Sequence, residues 1–334
     1  MLVYQRPQSC RVCQASVEPY LENVEDRVYG VPGRWRFVRC ARSDCAVIYL
    51  DHDLTAGQLT AFYKGYSTHA LPVLRATGAK RFYRNALAAI QQARLGYAGH
   101  LGIMARWSGA VLTHVPFFRE NALSRLFWLH AKPGGRVLEV GFGNAQSMTQ
   151  LRAAGWNVVG CEFDDHCVGQ ARRLGFEVHQ GSLTEASFAA ESFDAVVASH
   201  TIEHVPDPVA FIEKAARLLR PGGRLVLVTP NAASRDARRF GSDWRGLEAP
   251  RHLSIHTPHS LRRMAEKAGF AAIEVFGTSL AGFIGQQTRE LRRGEKPSTR
   301  QGLRTIPSNL RAGVIAARRD LDSEEIVLRC EMPG

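Results

Sequence analysis

The sequence predicts an α/β protein built around a doubly wound parallel sheet, preceded by a small cysteine unit and a basic helical segment. Three observations support this prediction. Short apolar strands alternate with amphipathic helices from Arg136 to Thr229, the first strand ends in a glycine-containing loop, and four cysteines form two close pairs near the start of the chain. Strands and helices that alternate at these lengths are typical of βαβ units, which place parallel strands side by side.

Length and composition exclude several other classes of protein. The chain has 334 residues, and 45% of them are hydrophobic, which is ordinary for a globular protein and too high for a disordered one. The apolar runs are broken well before the ~20 residues that a membrane span needs, and the first ten residues contain no signal-peptide core. We therefore expect a cytoplasmic protein.

The net charge of +12 favours an anionic partner, and this charge is unevenly distributed. Residues 1–53 and 133–278 are each neutral, whereas residues 54–132 hold ten basic residues and one acidic residue, and residues 279–334 hold ten and seven. The pattern of motifs divides the chain in the same way. We predict a zinc-ribbon-like unit at 1–53, a basic helical segment at 54–132, and an α/β domain at 133–334 with a basic insertion at about 279–323.

Four cysteines have the spacing of a zinc site. Cys10 and Cys13 form a C-x2-C pair, and Cys40 and Cys45 form a C-x4-C pair. Two cysteines on one tight turn direct both thiolates to one ion, and two such turns make a tetrahedral set of four sulfurs. A metal would also stabilise a unit too short to bury much apolar surface. With short strands expected on either side of the second pair, the unit resembles a zinc ribbon; the alternative is two pairs of free thiols.

The segment 54–132 is predicted to be helical. Apolar side chains recur at helical spacing from Lys80 to Leu95 with basic residues on the other face, and Pro116 divides the run that follows at 101–129. Two interpretations remain open. These helices either pack on the next domain with a solvated basic face, or they form a basic amphipathic surface that meets phosphate or anionic lipid.

The loop after the first α/β strand predicts a cofactor site, since ligands of such sheets bind beyond the carboxyl ends of the strands. Gly141 and Gly143 let the backbone approach a ligand, but Gln146 occupies the position of the third glycine of a dinucleotide fingerprint. Glu162 ends the second strand, where a carboxylate accepts ribose hydroxyls, and Glu139 adds a second carboxylate. Two carboxylates repel a diphosphate, so the residues favour S-adenosylmethionine, which carries a ribose, an ammonium and a sulfonium. The alternative for Glu139 is a structural ion pair.

Several segments resemble the motifs of class I S-adenosylmethionine-dependent methyltransferases. They are Val137–Ala145 (VLEVGFGNA), Val159–Glu162 (VGCE), Phe193–Val197 (FDAVV) and Leu219–Val226 (LRPGGRLV). Ser199–Pro208 (SHTIEHVPDP) is similar to the ubiquinone-biosynthesis-type branch. Thr229–Asn231 and Trp244–Leu253 are similar to a subgroup of sugar, polysaccharide and natural-product methyltransferases, some of which carry an N-terminal four-cysteine zinc unit.

This resemblance implies a seven-stranded Rossmann-like sheet closed by an antiparallel pair of strands at 271–277 and 324–331. It also implies roles for cofactor-binding residues. The two loop glycines would cradle the methionine part, Glu139 would lie near its ammonium, and Glu162 would hold the ribose. Where many relatives place an acidic residue against the adenine, this chain has Ser182 and Leu183.

Polar residues after the fourth strand predict the acceptor site. His200, Glu203 and His204 follow that strand at the edge of the crevice. Glu203 beside His204 resembles the Glu-His pair that relatives use around the acceptor. An oxygen or carbon acceptor has to lose a proton, which a histidine with a pKa near neutral can take. The alternative is that His204 only packs at the turn between strand and helix.

A later loop is expected to cover the acceptor. Trp244, Arg251 and His252 would form this lid, since arginine suits phosphate or carboxylate. The alternative is an interdomain hydrogen-bond cluster. The insertion at 279–323 is expected to be helical and to lie over the acceptor side. Its basic residues would then contact the acceptor or its membrane. They are Arg289, Arg292, Arg293, Lys296, Arg300, Arg304, Arg311, Arg318 and Arg319.

The sequence thus predicts a zinc-containing methyltransferase that uses S-adenosyl-L-methionine on a small or carrier-linked anionic acceptor. The favoured acceptor is a sugar or polysaccharide precursor with a nucleotide or lipid diphosphate, methylated on oxygen or carbon. Peripheral membrane contact is a further expectation, and the oligomeric state is not predicted. One alternative is an RNA methyltransferase, whose basic surface would contact phosphates. The other is a non-catalytic zinc-and-Rossmann scaffold that binds partners and has only a degenerate cofactor loop.

Overall fold

A four-stranded antiparallel sheet lies next to the N-terminal cysteines. The computed structural model describes residues 2–63, 78–98, 102–278, 283–295 and 321–334. The first strands are β1 (Leu2–Tyr4), β2 (Val17–Val24), β3 (Trp35–Cys40), β4 (Ile48–Leu50) and β5 (Leu54–Thr55). The two strands predicted in this unit correspond to β3 and β4, whereas β2 was not predicted. The fourth member of the sheet is Ser254–Ile255, which pairs antiparallel with β4 from a distant part of the sequence.

The next segment is helical, as predicted. It contains α1 (Ala56–Phe62), α2 (Gly78–Leu95), α3 (Ile103–Leu112) and α4 (Pro116–Ser124). Pro116 is the first residue of α4, where a missing backbone N–H costs nothing, so it divides the run as expected. Among the described residues, no helix has the length and apolar character required to span a bilayer.

The remainder of the chain forms the predicted α/β domain. Its elements are β6 (Arg136–Val140), α5 (Gln146–Ala153), β7 (Asn157–Glu162), α6 (Asp165–Arg173), β8 (Glu177–Gln180), β9 (Phe193–Ser199), α7 (Pro208–Leu218), β10 (Leu219–Pro230), α8 (Arg235–Phe240), β11 (Ser254–Ile255), α9 (Pro258–Lys267), β12 (Ala271–Thr278), α10 (Phe283–Arg292) and β13 (Glu325–Glu331). Seven of the strands make one sheet in the order β12-β13-β10-β9-β6-β7-β8. Strands β8, β7, β6, β9 and β10 run parallel, and β13 is antiparallel to both β10 and β12. The Rossmann-like sheet with a closing antiparallel pair is therefore confirmed.

The N-terminal unit shares its core with the α/β domain. Cys10, Val12 and Tyr49 belong to the same buried apolar cluster as Leu261 and Met264 of α9. The hydroxyl of Thr257, the residue that caps α9, donates to the carbonyl of Cys45 at 2.7 Å. These contacts cross the sequence boundary drawn at residue 53 and fix the cysteine unit against the domain that carries the crevice.

The basic insertion is described only in part. Helix α10 lies within it, and its arginines have acidic partners: Arg289 lies 3.9 Å from Asp236, and Arg292 lies 3.4 Å from Asp243. Arg293 pairs with Glu295 at 2.8 Å. Lys296, Arg300, Arg304, Arg311, Arg318 and Arg319 fall outside the described residues. In α10, therefore, much of the positive charge is balanced within the chain.

Candidate active site

The loops after β6 and β9 meet at the carboxyl end of the sheet. Gly141 and Gly143, just beyond β6, have φ values of +70° and +54°, a region that glycine adopts easily. A Cβ at Gly141 would lie 2.3 Å from Oγ1 of Thr201, so no larger residue fits there without displacing the second loop. The Thr201 hydroxyl also donates to the carbonyl of Val140 at 3.1 Å. The loop that contains Gly141 and Gly143 thus packs directly against the segment after β9, which carries the predicted acceptor residues.

Glu162 is held by backbone amides at the end of β7. Its Oε2 accepts from the amide of Gly143 at 3.2 Å, and its Oε1 accepts from the amides of Phe163 at 2.8 Å and Asp164 at 3.2 Å. Burial raises the pKa of Glu162, and these hydrogen bonds partly oppose that rise. A carboxylate has lone pairs beyond these three bonds. Glu162 is therefore oriented toward the glycine loop with capacity for further donors.

Glu139 is a buried carboxyl group with one unsatisfied oxygen. Its Oε1 accepts from the hydroxyl of Ser147, while its buried Oε2 has no hydrogen-bond partner among the described residues. Burial raises the pKa of Glu139 to about 8. No lysine or arginine pairs with it in the part of the chain that the structure describes, contrary to the ion-pair alternative. A cationic ligand would supply the missing charge.

Ser182 and Leu183, in the segment after β8, lie in different surroundings. The Ser182 hydroxyl donates to Oε2 of Glu185 at 2.6 Å, and the Leu183 side chain is buried in the core. Glu185 is an exposed acid at this edge that sequence reasoning did not identify, because it lies three residues beyond Ser182 in a turn. Any adenine contact by Leu183 would use its backbone.

His200 and Glu203 form a charged group with Glu325 of β13. Nδ1 of His200 lies 3.3 Å from Oε1 of Glu203, and its Nε2 lies 2.9 Å from Oε1 of Glu325. The His200 side chain is 44% exposed, so loss of hydration opposes its charge only in part, and the Glu325 and Glu203 carboxylates raise the pKa of His200 well above its usual value. Conversely, burial would raise the pKa of Glu203, but His200 lowers it to about 2. His200 is therefore a positively charged partner of Glu203, which also accepts from the Thr229 hydroxyl at 2.9 Å.

His204 has the geometry of a proton acceptor. Its Nδ1 lies 3.1 Å from the carbonyl oxygen of Arg251 and 2.9 Å from the hydroxyl oxygen of Tyr63. A carbonyl oxygen can only accept, so we assign the proton of the neutral ring to Nδ1. The other ring nitrogen, Nε2, is then unprotonated and able to take a proton.

Tyr63 was missed by sequence reasoning. It follows α1 in the N-terminal part of the chain, yet its hydroxyl reaches His204, 141 residues later. Its ring also packs edge-on against Phe163, with the ring centroids 5.2 Å apart. Since Phe163 directly follows Glu162, Tyr63 links the candidate proton acceptor to the candidate cofactor edge. No motif surrounds Tyr63, and only the tertiary structure reveals this contact.

The predicted lid residues have different surroundings. Arg251 is completely buried, 3.0 Å from Oδ2 of Asp26 and 3.2 Å from Oε1 of Glu248. Trp244 is 2% exposed and packs in an apolar cluster with the N-terminal strands. For these two residues the burial favours the interdomain alternative over acceptor contact. His252 lies beside His204 with ring centroids 4.7 Å apart, and burial lowers its pKa to about 4.

The four N-terminal cysteines converge on one point. Their sulfur atoms all lie within 4.8 Å of one another, with Cys10 and Cys45 3.6 Å apart and Cys13 and Cys40 3.4 Å apart. None of the four forms a disulfide. Four sulfurs at ~2.3 Å from one tetrahedral ion would be about 3.8 Å apart. The four thiols therefore have the arrangement that a tetrahedral metal requires.

Comparison with known proteins identifies a methyltransferase domain, whose family model matches residues 118–275. The ubiquinone biosynthesis O-methyltransferase of Aromatoleum aromaticum is 30% identical over 193 residues, which are 52% of this chain and 81% of that protein. The enzyme of the same name from Aeromonas salmonicida is 29% identical over 199 residues, covering 54% and 82%. A demethylmenaquinone methyltransferase from Mycobacterium sp. (strain KMS) is 41% identical over 95 residues, covering 28% and 41%.

Replacement of Arg251 by methionine should lower the free energy of unfolding by about 3–5 kcal/mol, because the buried carboxylate of Asp26 would lose its cationic partner and Glu248 would keep only its pair with Arg245. Urea denaturation measures this change. The matched control is Arg238→Met, which breaks an exposed pair with Asp322 and should cost at most about 1 kcal/mol. Unchanged stability in Arg251→Met, together with weaker acceptor binding, would instead support the lid role.

Proposed function

The chain belongs to the class I S-adenosylmethionine-dependent methyltransferases, and from this we propose that it methylates an ionisable hydroxyl group with His204 as general base. The observation that carries this proposal is the contact of Tyr63 with both His204 and Phe163. It joins the candidate base to the residue that follows Glu162. Proton removal and methyl transfer would therefore occur at one edge of the crevice.

The residues of the glycine loop fit this cofactor. Glu139 would face the ammonium, since its buried Oε2 lacks a partner among the described residues. Glu162 would accept the ribose hydroxyls. When bound, S-adenosylmethionine supplies a methyl group on a sulfonium, which makes that methyl electrophilic. The carboxylates of Glu139 and Glu162 would compensate the positive charge of this cofactor. The glycines keep side chains out of the space beside Thr201.

His204 would act on the acceptor. Its Nε2 takes the proton of the acceptor hydroxyl, while its Nδ1 proton is held by the carbonyl of Arg251. Tyr63 fixes the plane of the imidazole through the same nitrogen. The resulting imidazolium is stabilised by the nearby Glu203, because carboxylate and ring ligand atoms of Glu203, His204 and His252 lie within 4.8 Å of one another. Alignment of the hydroxyl with the methyl group supplies much of the remaining rate.

The favoured acceptor is a phenol-type hydroxyl. A phenol has a pKa near 10, close enough to that of imidazole for direct proton transfer. Arg251 is already paired with two carboxylates, which leaves it unsuited to hold a diphosphate at the reacting end. The relatives named as ubiquinone biosynthesis O-methyltransferases support a hydroxyl acceptor. The ion pairs of the α10 arginines reduce the support for RNA as acceptor.

A sugar or polysaccharide precursor is the second candidate acceptor. It is favoured by one observation: the four-cysteine unit packs on the α/β domain, and the helix that follows this unit brings Tyr63 into the crevice. The resemblance to sugar methyltransferases lies in Thr229–Asn231 and Trp244–Leu253, and some members of that subgroup carry such an N-terminal unit.

We also propose that Cys10, Cys13, Cys40 and Cys45 bind one structural zinc ion. Four thiolates at these separations suit zinc, and the closed set leaves no position for a substrate. The hydroxyl of Tyr49, 3.4 Å from the sulfur of Cys10, would orient one of the thiolates.

Cofactor binding should depend on the two buried carboxylates. Glu139→Gln and Glu162→Gln are each expected to weaken S-adenosylmethionine binding about 10- to 100-fold, the loss of one charge-assisted interaction. Isothermal calorimetry measures the Kd. The control Glu213→Gln changes an exposed acid of α7 and should leave the Kd unchanged. Affinity retained in both test variants would contradict this cofactor site.

Catalysis should depend on His204 and, less strongly, on Tyr63. His204→Gln is expected to lower kcat about 10²- to 10⁴-fold, since the group that takes the proton of the acceptor is lost. Tyr63→Phe should lower kcat about 10-fold through loss of one hydrogen bond. The control His259→Gln alters an exposed histidine of α9. Assays use a panel of phenols and catechols beside a panel of nucleotide sugars, and turnover of sugars alone would overturn the phenol proposal.

Metal analysis should find about one zinc per chain. Cys10→Ser/Cys40→Ser is expected to lose the metal and to unfold at a lower temperature, because the closed sulfur set stabilises a small unit. The control Cys330→Ala alters a buried cysteine of β13 and should retain zinc. Zinc at full stoichiometry in the double variant, or none in the unaltered protein, would remove the metal site.

A further inference from the structure

Helix α3 turns its large apolar side chains outward. Ile103, Met104, Trp107 and Val111 are 74%, 84%, 70% and 65% exposed, respectively. At about 100° per residue these four positions fall within roughly a quarter of the helix circumference, so they form a single stripe, here called the α3 face. Trp107 is the most exposed of the five tryptophans. An ordinary surface helix would present such side chains to the core instead.

The inner side of α3 packs on α2 and α4 through Gly109 and Leu112. A Cβ at Gly109 would lie 2.3 Å from Cβ of Ala89 in α2, so only glycine allows the two helices to approach this closely. Thr113, just after α3, is buried and its hydroxyl accepts from Nε of Arg94 at 3.0 Å. Close packing on α2 therefore fixes the orientation of α3, and the α3 face cannot turn inward by a simple rotation.

The α3 face borders an open groove of about 760 Å³ between α2 and α3. Ala93, Ile103, Trp107 and Ala110 contribute an apolar lining, and Arg106 lies among them with its side chain exposed. The groove thus combines space for apolar chains with a cationic group beside them.

Charge identifies the partner. Residues 54–132 hold ten basic residues, and their single acid, Glu120, is buried against Arg119 and the indole of Trp128. Exposed charge on α2, on α3 and just after α4 is therefore positive, at Arg84, Arg106 and Arg125 among others. A second copy of this chain would bring the same positive charge against itself. An anionic lipid surface complements both the apolar stripe and the charge.

We propose that α3 is a membrane-docking helix that lies in the interface of a bilayer containing anionic lipid, with the α3 face among the acyl chains and Arg106 at the headgroups. Tryptophan is suited to this depth, since its ring is apolar and its N–H is polar. The surface lies on helices outside the crevice, so this inference stands whether the acceptor is a phenol or a sugar.

Vesicle flotation tests the proposal with the full chain. The protein should float with vesicles of equal parts phosphatidylcholine and phosphatidylglycerol, and at least about tenfold less with phosphatidylcholine alone, because several basic residues contribute to binding. Trp107→Ser/Val111→Ser is expected to lower the bound-to-free ratio about tenfold or more, and Arg106→Glu to lower it on the anionic vesicles. The matched control, Leu174→Ser/Leu321→Ser, removes two exposed leucines outside the α3 face and should bind as the unaltered protein does.

Tryptophan fluorescence adds an independent measurement. Vesicles should shift the emission to shorter wavelength, and Trp107→Phe should abolish that shift while leaving flotation largely intact. S-adenosylmethionine affinity, measured for each variant, verifies folding and separates this surface from the cofactor site. Flotation that is absent, or unaffected by the Trp107/Val111 change, would overturn the proposal. Sedimentation showing a dimer that the same change dissociates, without vesicle binding, would also overturn it in favour of self-association.

Discussion

The arrangement of the crevice depends on the ion pairs of the buried Arg251 guanidinium group. It pairs with Asp26 from the N-terminal unit and with Glu248 from its own loop, and it lies over the ring of Tyr29 at 4.3 Å. The same residue offers its carbonyl oxygen to Nδ1 of His204. The side chain of Arg251 thus joins the N-terminal unit to the α/β domain, and its backbone carbonyl orients the ring of His204, the candidate base. A charge removed from water in this way is tolerated only when its partners are well placed.

Two buried carboxyl groups near the candidate base, those of Glu203 and Glu248, also have cationic partners, whereas Glu139 has none in the described part of the chain. Glu203 is matched by His200, and Glu248 by Arg251 and Arg245, which keeps the pKa of each carboxyl low although burial opposes this. Glu139 lacks such a partner among the described residues, and burial leaves its pKa raised. The protein therefore balances Glu203 and Glu248 with its own cations, whereas Glu139 has no such cation among the described residues. A cationic ligand would fit this difference.

The fold was predictable because its signals are local. The alternating apolar strands and helices and the two cysteine pairs are each defined by residues close together in the sequence, and the structure contains the corresponding elements. Glu139, Glu162 and His204 stand next to such local motifs, and their roles in the site stay predictions. Tyr63, the Asp26–Arg251 pair and the inner role of Trp244 were not identified from the sequence, because they depend on contacts across more than a hundred residues. The sequence left lid and interdomain cluster as alternatives for Arg251, and burial is what separates them.

The strand Ser254–Ile255 has a consequence for the order in which the chain folds. It forms the edge of the N-terminal sheet beside β4, although about two hundred residues separate the two strands in sequence. During synthesis the cysteine unit leaves the ribosome long before its own edge strand exists. Until then β4 presents unpaired backbone groups, which are prone to association with other strands. The N-terminal sheet can therefore be completed only after most of the α/β domain has been synthesised. The N-terminal unit and the α/β domain then fold as one unit.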